Sequence, residues 1–117
     1  MNILSRLFGP PMPALTAVEL SEKLKTDKRP FVLDVREPEE YRDSHIAGAK
    51  LIPLGELGRR LKDLPKDKEI YCVCASGSRS RSATKMLIGA GYNAINMNGG
   101  MFAWKRSNFP VKKGNAA

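Results

Sequence analysis

Long apolar runs are missing from this 117-residue sequence. None approaches the roughly 20 residues that cross a bilayer, so no membrane span is expected. Histidine occurs once and cysteine twice. One imidazole and two thiols with a single residue between them make a poor zinc set, and neither a metal nor another cofactor is expected. The cysteine count also argues against a secreted disulfide scaffold. On one strand Cys72 and Cys74 would share a face but stand about 6.5 Å apart along it, an unfavourable separation for a disulfide. A reducing, cytoplasmic location fits best. Acidic residues are the minority, 12 against 20 Lys and Arg, for a net charge of +8. Yet no five basic residues run together, and the eight aromatics are not interleaved with them as stacking platforms. Specific nucleic-acid binding is therefore not expected. A solvated basic surface, open to a small anion or an acidic partner, is.

Repeats and low-complexity stretches are absent as well. At this length the chain forms one domain with a core of ordinary size. Residues 1–13 hold three of the eight prolines and read as an irregular lead-in. Ile3, Leu4, Leu7 and Phe8 would share one face of a helical turn there, but the segment lacks the apolar length of a signal peptide. Helix and strand signals then alternate. Thr16 and Glu19 form a capping box ahead of a helix over 17–26. Apolar runs predict strands at 31–35, 49–52, 69–73 and 93–97. Helices are expected from Pro38 through Tyr41, from Gly55 to Leu64, from Ser80 to Gly89, and from Gly99-Gly100 through Trp104. Such alternation predicts an α/β domain with a small, mostly parallel sheet and helices on both faces, and a ligand site beyond the carboxyl ends of the strands.

The chain leaves its third predicted strand at Cys74, where the segment Cys74-Ala75-Ser76-Gly77-Ser78-Arg79-Ser80 leads into a helix. A free thiol ionises near pH 8.5 and needs help at neutrality. A helix N-terminus supplies unpaired amides and a positive dipole end. Small residues let those amides curl inward as an anion nest, and Gly77 permits the turn. Ser80 can cap the helix or present its hydroxyl to the nest. Arg79 places a forked cation beside the site. Cys74 is thus the candidate nucleophile, with residues 75–80 as substrate-binding groups. Cys72, inside the strand, reads as a core residue, with a resolving thiol as the minor alternative. Asp34 and Arg36 can pair at a strand end near the cleft, and His45 reads as a structural group bonding backbone around the loop rather than as a catalytic partner.

Three ordered segments resemble the single-domain rhodanese-like sulfurtransferases. The first is Asp34-Val35-Arg36-Glu37-Pro38-Glu39-Glu40-Tyr41 with Ser44-His45-Ile46-Ala47-Gly48-Ala49. The second is Cys74 to Ser80. The third is Gly99-Gly100-Met101-Phe102-Ala103-Trp104, closing with Phe109-Pro110-Val111. The resemblance implies a rhodanese-like domain over 14–111, a sheet of about five strands, and 112–117 as a short tail. It also implies sulfur transfer through a Cys74 persulfide. The donor would be thiosulfate or another small anionic persulfide, or a protein; the acceptor a thiol, a thioredoxin-like protein or cyanide. A sulfur-carrier module that docks a protein partner is the alternative. Only four residues separate Cys74 from Arg79; related phosphatase loops have five, so phosphatase-like hydrolysis or arsenate reduction ranks lower. Many relatives carry a basic residue directly after the cysteine, where this chain has Ala75. That weakens the attraction for thiosulfate and favours a persulfide donor.

Overall fold

The computed structural model describes residues 12–26 and 30–117, so the apolar face expected over Ile3 to Phe8 lies outside it. The expected alternation is present. In chain order the elements are β1 (Ala14–Leu15), α1 (Ala17–Thr26), β2 (Phe31–Asp34), α2 (Pro38–Asp43), β3 (Lys50–Leu51), α3 (Leu54–Leu57), a 3-10 turn (Leu61–Asp63), β4 (Glu69–Val73), α4 (Ser78–Gly89), β5 (Asn93–Met97) and α5 (Gly100–Arg106). The five strands form one sheet in the order β1-β5-β4-β2-β3, and every pair is parallel.

Strand alternation splits the core in two. Tyr71 and Val73 of β4 point into a cluster with Leu20 of α1, Tyr41 of α2 and Met101 and Trp104 of α5. Ile70, Cys72 and Cys74 point the other way, against Leu57, Ala83 and Leu87 of α3 and α4. The two cysteines therefore share a face, as a strand requires. β4 is the central strand, and its carboxyl end delivers Cys74 to the sheet rim between the two helical layers. No described helix is long and apolar enough to cross a membrane.

Local signals explain most boundaries. The Thr16 amide donates to Glu19 at 3.0 Å and the Glu19 amide to the Thr16 hydroxyl at 3.1 Å, closing the capping box. Two expectations, both of helix bounds, need correction, and β1 supplies the fifth strand that no apolar run marks. The helix foreseen over Gly55 to Leu64 breaks into α3 and the 3-10 turn, because Gly55 and Gly58 both weaken a helix and the Arg59 and Arg60 amides bond three residues back. β1 has only two residues, too few to show any periodicity, and forms by exchanging backbone bonds with β5: Asn96 N–H to Pro13 O and Asn98 N–H to Leu15 O. The helix expected from Ser80 begins at Ser78, since Gly77 takes a φ of 105° and turns the chain into α4 two residues early. Asn108 has a φ of 58°, a left-handed conformation that asparagine tolerates.

Candidate active site

Cys74 is fully buried where β4 ends. Its Sγ accepts the Gly77 N–H at 3.1 Å and lies 3.4 Å from the Ser80 hydroxyl, which also donates to Gly77 O at 3.1 Å. Burial alone would raise the thiol pKa. The Ser80 hydroxyl and the Ser80, Gly77 and Ser76 amides outweigh it, and the balance lies below the ordinary thiol value. A rotation of the Ser80 O–H from Gly77 O to sulfur adds a donor to the thiolate as it forms. Ser80 is therefore the hydroxyl of the nest and not the cap of α4. The sign predicts a test. Thiolate reactivity of Cys74 should titrate below that of free cysteine, and Ser80→Ala should move the midpoint up. An unmoved midpoint in a pH series of iodoacetamide labelling would remove Ser80 from this role.

Cys72 has the opposite environment. Burial pushes its thiol up to about 11, despite a hydrogen bond with Thr84. It is a core thiol, packed with Leu57, Ala83 and Leu87.

The loop is held from behind by α5. Met101 N–H donates to Cys74 O at 2.7 Å and Phe102 N–H to Ala75 O at 3.0 Å. These bonds require close approach: a Cβ on Gly100 would lie 2.5 Å from the Ala75 carbonyl carbon and oxygen and would also strike Cys74 O. The sequence marks Gly99-Gly100 as a helix start but does not place it against the loop. The doublet itself was the available signal.

Ser76 and Ser78 are exposed and line a recess of about 510 Å³ with Gly77, Arg81 and Asn96. Arg79 does not stand as a free cation. Its guanidinium makes a forked pair with Glu40 of α2, Nη1 to Oε1 at 2.7 Å and Nη2 to Oε2 at 2.9 Å. Glu40 Oε1 also accepts the Glu37 N–H at 2.9 Å, which caps α2. Arg79 holds the Glu40 carboxyl at about 2, below its ordinary 4.5, and Glu40 in turn raises Arg79. The stability from this pair is present above pH 4.5 and is lost as pH falls toward 2.

Asp34 and Arg36 do pair. Arg36 Nη2 donates to Asp34 Oδ2 at 2.7 Å and to Ser44 O at 2.7 Å, with both side chains buried. Their network fixes the wall beneath a cavity of about 750 Å³, bounded also by Ala75 and by Phe102, Lys105 and Arg106 of α5. His45 bonds backbone, but not that of the cysteine loop. Nδ1 meets Tyr41 O and Nε2 meets Ala116 O, each at 2.8 Å, while the ring stacks on Tyr41. Lys112 exchanges two backbone bonds with His45, so 112–116 lie against α2.

The Rhodanese-like domain model matches residues 16–107. A sulfurtransferase of Allochromatium vinosum is 32% identical over 93 residues, covering 79% of this chain and 87% of the relative. A Bacillus subtilis protein named as a sulfur carrier, YrkF, is 38% identical over 94 residues; the match spans 80% of this chain and about half of the relative, 51%. Among solved structures, a rhodanese-related protein of Thermoplasma volcanium superposes with a TM-score of 0.80 at 36% identity, covering 86% of this chain and 97% of that one.

Proposed function

The chain belongs to the rhodanese-like family of sulfurtransferases and sulfur carriers, and from that premise we propose that it is a sulfurtransferase that carries sulfur as a persulfide on Cys74. The observation that supports this most directly is the Cys74 sulfur itself, bonded by the Gly77 amide and the Ser80 hydroxyl and held below the ordinary thiol pKa. The thiolate attacks the outer sulfur of a donor. With thiosulfate, the new bond joins Sγ to that sulfur, the old S–S bond breaks, and its electron pair leaves on sulfite. The persulfide anion keeps the single negative charge that the amides already solvate, a fixed electrostatic clamp. A nucleophile then takes the outer sulfur and returns Cys74 to thiolate: cyanide leaves as thiocyanate, and a low-mass thiol or a thioredoxin-like protein becomes a persulfide. Intact-mass measurement after incubation with thiosulfate, and separately with cysteine persulfide, tests this. One added sulfur atom, removable by cyanide, is expected; no adduct from either donor defeats it.

The Glu40 pair favours a persulfide donor over thiosulfate. Arg79 is the loop's one cation, and its charge is neutralised before any dianion arrives. Glu40→Gln isolates that effect, because glutamine can still reach back to the Glu37 amide. Its KM for thiosulfate should fall several-fold and become more salt-sensitive, with kcat within about twofold of the original. An unchanged KM would mean that Arg79 does not meet the donor.

A further inference from the structure

Phe102 is 67% exposed, more than any other large apolar residue in the described chain. A lone exposed aromatic is ordinary on a protein surface. This one is not placed at random. α5 buries Gly100, Met101 and Trp104 in its own layer, so Phe102 projects on the opposite side, over the 750 Å³ cavity. Its amide is bonded to Ala75 O at 3.0 Å, which ties its backbone to the residue next to Cys74. One turn on, the Arg106 guanidinium lies 5.8 Å from the ring centroid. Lys105 and Arg106 are both exposed on that rim, and neither has a carboxylate within ion-pair distance among the described residues. The helix C-terminus favours cations there by its dipole, but that does not account for the aromatic between them and the loop. Asp43 is exposed on the facing wall, which gives the mouth a polarity across its width.

We propose that Phe102, Lys105 and Arg106 form a docking surface for a protein partner that presents its reactive cysteine beside an apolar side chain and an acidic cluster. The inference rests on the sulfurtransferase reading and deepens it by naming the partner's chemistry. An apolar side chain of the partner covers the ring, its carboxylates meet the two unpaired cations, and its cysteine is carried toward Cys74. Charge complementarity selects the partner: the chain has a net charge of +8, and this rim holds two of its unpaired cations. An aromatic anchor ringed by complementary charge is the usual make-up of an energetic centre at an interface.

The experiment first loads the protein with cysteine persulfide and confirms the added sulfur by intact mass. Transfer is then followed to three acceptors: the peptide Glu-Glu-Leu-Cys, the peptide Lys-Lys-Leu-Cys, and cyanide. The unsubstituted protein should prefer the acidic peptide. The double variant Lys105→Glu/Arg106→Glu should lose about tenfold in transfer to it and gain with the lysine peptide. Phe102→Ala should slow transfer to both peptides, and cyanide should serve both variants within about twofold of the original. Equal use of the two peptides, or a preference that charge reversal leaves in place, overturns the surface. So does a matching loss with cyanide, which would place these residues in the loop's support. A dimer in solution that Phe102→Ala dissolves overturns it too, by naming a second copy as the occupant. A protein that loads from neither cysteine persulfide nor thiosulfate fails at the first step. That ends the sulfurtransferase reading, and the surface with it, whereas loading without selectivity ends the surface alone.

Discussion

Gly100→Ala should cost this protein about 3 kcal/mol or more and lower its Tm by roughly 10 °C. The added methyl would lie 2.5 Å from the Ala75 carbonyl carbon and oxygen and would also meet Cys74 O. All are backbone atoms, which cannot move aside as a flexible side chain would. The φ of 57° adds the strain of a left-handed alanine. Relief requires α5 to back away, and with it go the Met101 and Phe102 amides that hold the loop. Sulfur loading should therefore fall more than about tenfold even among molecules that remain folded, because a displaced nest no longer solvates the thiolate. Gly48→Ala is the control. Its φ is 86°, yet nothing lies within 4 Å of the new methyl. It should lose only about 1 kcal/mol and load normally. Equal behaviour of the two variants in thermal unfolding and loading would show that the contact between α5 and the loop is not tight.

The second large effect separates the cysteines. Cys74→Ser should accept no sulfur in the mass assay, and transfer should fall by about a thousandfold or more, since a serine hydroxyl has no comparable route to an anion at neutral pH. Cys72→Ala should load fully and lose only about 1–2 kcal/mol for the small cavity it leaves in the core. The two thiols are two residues apart on one strand face and share a core cluster. Amide donors make the difference: the Gly77 N–H reaches Cys74, while Cys72 is left to burial and pushed up to about 11. Sulfur appearing on the Cys74→Ser protein would transfer the role to Cys72.

That contrast was legible in the sequence because it is local. Strand, cysteine, small residues and helix stand in order over a dozen positions, and the physics of a helix N-terminus acts within that span. The strands of the α/β sheet were legible for the same reason, from short apolar runs. Partners that meet only in three dimensions were not. Nothing near Arg79 announces Glu40, which lies on another helix and accepts a bond in that helix's own cap. Nothing near His45 announces Ala116. The Gly99-Gly100 doublet was visible, but that the second glycine touches the Cys74 loop follows from the packing of α5. Ser80 could cap the helix or face the sulfur, and the φ of Gly77 decided between them. Two-residue strands and glycine-broken helices fall below what periodicity can resolve, as β1 and the 55–64 segment show.

The strap between α5 and the loop also joins chemistry to the order in which the molecule completes itself. α5 follows the Cys74 loop, α4 and β5 along the chain. Until it docks, Cys74 O and Ala75 O lack the Met101 and Phe102 amides, and the loop that carries the Ser76, Gly77 and Ser80 donors is unsupported from behind. On the sulfurtransferase reading, a domain opened at α5 should therefore hold a less reactive Cys74 than the closed one, and full activation belongs to the finished domain.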